Sequence, residues 1–159
     1  LQGLIDIAPP SRLDFEPGGQ KYEETLYIVA HEILHRWCCD VSFRDGQGAV
    51  NRGLLSGDSH WSFLLDSQGS PMYGNSWRDN DDGTFTSQRV DLRRYSPLDL
   101  YVMGLFEPSQ VPPMRLITSP GFDPTRAPEP DVTVSGTVQT VRIDDIISAE
   151  GVRSPGPAT

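Results

Sequence analysis

The chain has 159 residues, a net charge of -9, 36% hydrophobic and 22% charged residues. That length and balance fit one globular domain with a core of its own and exclude wholesale disorder. The acidity argues against nucleic acid or an anionic membrane surface as partner, and no apolar run reaches the length of a membrane span.

The 15 glycines and 14 prolines predict a loop-rich fold with short elements. Residues 1–8 (LQGLIDIA) alternate loosely, as a strand does, and lack the basic flank and long apolar stretch of a signal peptide. The chain begins at Leu1, which points to a processed piece of a longer chain. After a turn-rich stretch from Pro9 to Gly19, residues 22–38 (YEETLYIVAHEILHRWC) carry the strongest helical pattern. Leu26, Ala30, Ile33 and Trp37 recur at three- and four-residue spacing, and Glu23 and Glu24 fall in the first turn, where the helix dipole favours acids. Cys38 and Cys39 are adjacent, a spacing that rarely meets disulfide geometry. They are expected to pack as small apolar side chains or to pair outside this chain.

Short apolar runs follow between glycines: 41–43, the GLLSGD segment, and HWSFLLD at 60–66, which reads as a strand. Residues 70–77 (SPMYGNSW) read as a loop and 78–85 (RDNDDGTF) as a polar turn. YSPLDLYVMGL predicts a second helix with Ser96 as N-cap, Pro97 in the first helical position and Gly104 at its end. Residues 132–143 resemble a hairpin turning at Ser135-Gly136, a short helix is expected over 144–150, and 151–159 form a Pro/Gly-rich tail or linker behind a domain of residues 1–150.

The chemistry is concentrated in HEILH, His31 to His35. Residues four apart share one helical face, so both imidazoles can reach one ion. Glu32 projects a little over a quarter-turn away, where a carboxylate can take a proton from attacking water. A catalytic zinc site needs a third protein ligand. The chain has three histidines, and His60 is the natural choice because it opens a rigid apolar strand. The rival is Asp99, near the start of the second helix. Ser96-x-x-Asp99 also reads as a capping box, in which Asp99 bonds the Ser96 backbone instead. DNDDG (79–83) is oxygen-rich enough to suggest Ca2+, but its spacing is not that of an EF-hand, and a solvated turn is the simpler reading.

HEILH on a helix resembles the zincin clan of metallopeptidases. SPMYG (70–74) is similar to the methionine turn of the metzincins, and the stretch from HEILHRW through HWSFLLD to YSPLDLYVMGL resembles secreted bacterial metallopeptidases. The metzincin motif continues through a glycine to a third ligand, whereas Cys38 and Val41 hold those places here. The resemblance implies an α+β, zincin-like fold, with the motif helix packed on a small mixed sheet. It also implies Zn2+ as cofactor and Met72 as an apolar floor, with Tyr73 steadying the reacting oxyanion. The implied activity is extracellular cleavage of a protein or peptide substrate. The competing reading is a zinc-binding structural or adhesion module that cleaves nothing.

Overall fold

The computed structural model describes residues 9–57, 59–90 and 94–157. The strand expected over 1–8 lies outside them. The fold is α+β. Three helices are described, α1 (Tyr22–Leu34), α2 (Pro97–Val102) and α3 (Ile143–Glu150). The strands are β1 (Phe43–Arg44), β2 (Val50–Asn51), β3 (Leu55–Ser56), β4 (His60–Asp66), β5 (Tyr73–Asp79), β6 (Thr84–Gln88), β7 (Met114–Thr118), β8 (Thr133–Ser135) and β9 (Thr137–Val141). β1 and β2 form a separate ribbon; the other seven form one sheet in the order β8-β6-β5-β4-β7-β9, with β3 added beside β4. The sheet is mixed, because β4 and β5 run parallel while the other pairs are antiparallel. Among the described residues no helix is long and apolar enough to cross a membrane.

The segment 60–66 is the strand its composition predicts. It is buried on both faces, which explains its nearly continuous apolar run. Trp61 and Leu65 enter the main core with Leu34, Phe43, Leu98 and Ile146, while Leu64 faces a second cluster with Trp77, Phe85 and Ile117. β7 divides in the same way, with Met114 and Leu116 on the main core and Ile117 in the second cluster. The middle of β4 is not paired with β5. Its N–H groups go instead to Leu54 O from Ser62 (2.8 Å) and to Pro124 O from Phe63 (3.0 Å).

Three expectations are corrected here. Residues 132–143 do supply two strands, but these do not pair with each other: β8 lies against β6 and β9 against β7. Only Gly136 separates β8 from β9, so one bent segment joins the two ends of the sheet and closes it on itself. A local turn signal cannot distinguish such a bend from a hairpin. Residues 73–79 form β5 and not a loop. Gly74, Asn75 and Ser76 are turn formers, yet alternation survives: Asn75 and Trp77 are buried, Ser76 and Arg78 are not. Finally, Cys38 and Cys39 are bonded to each other. The peptide between them is cis, which brings their Cα atoms to 3.0 Å, a separation a trans peptide does not permit.

α1 is shorter than predicted, ending at Leu34 with His35 as its C-cap. Its expected stripe is not its buried face: Leu26 is 42% exposed, whereas Thr25 and Leu34 are buried. Specific bonds hold the helix. Asp14 N donates to Thr25 Oγ1 (2.7 Å), and Tyr95 OH donates to Ala30 O (3.0 Å). α2 carries its predicted cap, with Ser96 and Asp99 bonding each other's backbone N–H. Arg153 ties the start of the tail to this helix through its Nε bond to Val102 O (2.7 Å).

Closure of the sheet depends on a residue without a side chain at the bend, because a Cβ on Gly136 would lie 2.4 Å from Thr118 O. Gly136→Ala is therefore expected to lower the free energy of urea unfolding by about 1–3 kcal/mol, the usual cost of overpacking. A loss under about 0.5 kcal/mol would show that the bend is not a tight constraint.

Candidate metal centre

Two elements bring the histidines together. α1 supplies His31 and its C-cap supplies His35, one helical turn apart. β4 supplies His60, whose position is fixed by pairing with β3, Ser56 opposite His60 and Leu55 opposite Trp61. His31 Nε2 lies 3.1 Å from His35 Nε2 and 3.3 Å from His60 Nε2. One ligand atom from each of the three lies within 4.8 Å of the others, and among the described residues this is the one such group.

These distances can be tested against a metal. Tetrahedral zinc with nitrogens at ~2.0–2.1 Å requires nitrogens about 3.3–3.4 Å apart. The two measured separations are close to that value. Hydrogen bonding alone does not account for the convergence. His31 Nδ1 donates to Pro71 O at 2.7 Å, since a carbonyl can only accept. In the neutral ring this leaves Nε2 with a single lone pair facing two other imidazole nitrogens. One lone pair does not serve two N–H donors well, whereas a cation among three nitrogens satisfies all of them. The bond to Pro71 is also the kind of support that fixes the ring and tautomer of a metal ligand. His60 has a comparable neighbour, Ser59 Oγ, 3.2 Å from its Nδ1. The residues present therefore fit a zinc ion.

The electrostatics favour the neutral form of His35 and His60. Burial, together with His31 and His35, lowers the His60 pKa from 6.5 to about 4. Burial and His31 also lower that of His35, while Glu32 and a hydrogen bond with the Cys38 backbone oppose the shift. Glu32 is half-buried on α1, near enough for its charge to act on His35.

Tyr73 stands against the cluster. Its ring stacks on His60 at 4.4 Å and on Phe63 at 5.0 Å, and it lies 5.7 Å from His31. Its φ of 78° is in the left-handed region, uncommon for an aromatic residue and costing on the order of 1–3 kcal/mol. The stack and the following Gly74, also at positive φ, hold it there. Met72, the residue before it, is fully buried in the main core beside Trp61 and bonds to it, Trp61 N to Met72 O at 3.0 Å.

Tyr27 is a neighbour that motif reading passes over. Its ring is 6.0 Å from His31, and burial followed by the nearby Tyr73 raises its pKa. The signal for it was present: Tyr27 precedes His31 by one helical turn and shares its face.

Asp99 lies outside the cluster. It is fully buried, with Oδ1 accepting from Trp61 Nε1 at 2.7 Å and Oδ2 from Ser96 N at 2.6 Å. Burial raises its pKa, while the bonds from Trp61, Ser70 and Ser96 pull the other way. The capping role weighed for it is the one the structure contains. In the 79–83 loop, Asp79 Oδ1 accepts from Asp81 N and Asp82 Oδ1 from Thr84 N, so these carboxylates bind their own turn between β5 and β6. Tyr95 and Tyr101 are structural in their bonding: Tyr95 OH donates to Ala30 O, and Tyr101 OH accepts from Arg153 N.

Comparison with protein-family models, curated proteins and solved structures gave no match to this chain.

The His60 shift makes a pH prediction. Between its folded value of about 4 and the unfolded 6.5, the unfolded chain holds the extra proton, so folding weakens as pH falls. Urea midpoints of the metal-free protein should drop from pH 6.5 towards 4, and His60→Gln should flatten that slope. A slope unchanged in the variant would contradict the burial of a neutral ring at this position.

Proposed function

We propose that the chain is the core of a zinc-dependent endopeptidase in which His31, His35 and His60 hold the metal. The observation that carries this reading is the approach of His35 Nε2 and His60 Nε2 to His31 Nε2 at separations that suit one tetrahedral ion, with a carboxylate inside the same motif. When bound by three protein nitrogens, zinc keeps one position for water, acidifies that water and polarises a carbonyl.

The chain's own residues divide the remaining work. Glu32 is the general base: it takes a proton from the attacking water and returns it to the leaving amine. Its place between the two helical histidines keeps it beside the metal without serving as a ligand. Tyr73, stacked on His60, donates a hydrogen bond to the oxygen that becomes negative as the carbonyl is attacked. Stacking on His60 and Phe63 fixes the ring of Tyr73 beside the histidines. A purely structural zinc site closes its coordination with four protein ligands. Three converging nitrogens and an adjacent half-buried carboxylate favour a working site.

The substrate is a protein or peptide chain, and the setting is outside the cell. A disulfide between Cys38 and Cys39 supports an oxidising compartment.

The test has two parts. Wild-type protein should contain one zinc per chain, and His31→Ala, His35→Ala and His60→Ala should each lose it. Glu32→Gln should keep its zinc while cleavage of an unfolded protein such as casein falls by about 100-fold or more. Tyr73→Phe should also keep zinc and lose about 100-fold in rate. Cleavage that survives Glu32→Gln would sink the enzymatic reading. Full zinc with no cleavage in the wild type would favour the structural or adhesion module.

A further inference from the structure

We propose that Asp99 is a positioning residue that sets the spacing of His60 and His31, acting through donors that stand beside their supports; this rests on the metal-binding reading above. Its buried carboxylate accepts from the Trp61 indole and the Ser96 backbone N–H, and the Ser70 hydroxyl is near enough to help lower its pKa. Each donor stands next in sequence to a group that holds a histidine.

Trp61 follows His60 on β4, and its indole N–H reaches Asp99 Oδ1 at 2.7 Å. Ser70 precedes Pro71, whose carbonyl accepts from His31 Nδ1 at 2.7 Å. Ser96 follows Tyr95, whose hydroxyl reaches the carbonyl of Ala30, the residue before His31. The links are also laced to one another. Ser70 Oγ accepts from Met72 N at 2.9 Å, and Met72 O accepts from Trp61 N at 3.0 Å. The carboxylate therefore fixes the strand that carries His60 against both the loop and the helix that orient His31.

A carboxylate is required because all three partners are donors. It offers two oxygens and no hydrogen, whereas an amide would turn an N–H towards one of them. An ordinary helix cap makes a different prediction. Losing a cap costs stability and leaves a distant metal site's affinity alone. Losing the supports of metal ligands lowers affinity by about 10–100-fold.

The experiment measures zinc affinity by chelator competition and urea stability of the metal-free protein, for wild type, Asp99→Asn, Trp61→Phe, Ser70→Ala and His60→Ala. Asp99→Asn and Trp61→Phe are expected to lower zinc affinity about 10- to 100-fold. Trp61→Phe is expected to add no further loss once Asp99→Asn is present, because its effect passes through that carboxylate. Ser70→Ala removes one donor and is the variant to rely on if Asp99→Asn does not fold; it should lower affinity by at least about 3-fold. Variants that lose stability but bind zinc as tightly as wild type would overturn the proposal and leave Asp99 a cap. An additive loss of Trp61→Phe and Asp99→Asn would overturn it too. Wild-type protein that takes up no zinc would overturn the metal reading itself, and this one with it.

Discussion

Burying a carboxylate is costly unless hydrogen-bond donors replace the water it gives up. At Asp99 that requirement organises much of the molecule. The donors come from β4, from the loop before β5 and from the N-cap of α2, so satisfying one side chain forces three distant segments into contact. Removing a single partner leaves the rest of such a network with an unmatched charge, and for that reason buried polar networks specify geometry more sharply than apolar packing does. Apolar packing still supplies the bulk of the cohesion here, with Leu34, Trp61, Leu65, Leu98 and Val141 in one continuous core around the carboxylate's segments. Packing alone tolerates small sliding of one element on another; a hub of directional bonds does not.

The end of α1 poses a related electrostatic problem. A helix C-terminus carries partial negative charge from its unpaired carbonyls, which favours a cation nearby. His35 is the C-cap and His31 is in the last turn, so both histidines are presented where the helix itself attracts positive charge. The pKa values of His35 and His60 are nevertheless lowered by partial burial and by neighbouring histidines, His60 most strongly. Closely spaced imidazoles of lowered pKa beside the negative end of a helix suit a metal ion better than they suit protons. The strained backbone of Tyr73 belongs to the same economy of position: an aromatic residue at positive φ persists because stacking on Phe63 and His60 fixes it.

How much of this the sequence discloses depends on the range of the interaction involved. HWSFLLD reads as a strand because its composition and bounding residues are local signals, and β4 occupies those residues. The α2 cap is legible for the same reason, since Ser96, Pro97 and Asp99 interact within one turn. The convergence of His31 and His35 follows from helix geometry, and His60 came from a shortage of other candidates. What the sequence hides is set by distant partners. β5 is a strand because β4 and β6 supply its partners, against its own turn-forming residues. The segment through Gly136 looks like a hairpin, yet its halves pair with β6 and β7 because the sheet closes. The stripe drawn through Leu26 fails because α1 is held by bonds at Thr25 and Ala30 and by burial of Leu34 more than by a continuous apolar face.

A fold of this class does not by itself imply a reaction, so the functional argument has to stand on the site. The relevant distinction is between groups that hold an ion and groups that use it. Three histidines are enough to hold one, and a structural module would need nothing more than a fourth ligand to close the shell. Glu32 is the residue that separates the two cases. It occupies a position between His31 and His35, where a carboxylate raises the pKa of His35 and so works against the neutral ring that a metal would require. A site built only for binding would gain by replacing it with a neutral side chain. Retaining a proton acceptor there, at a small cost to its neighbour, makes sense when a proton has to be moved.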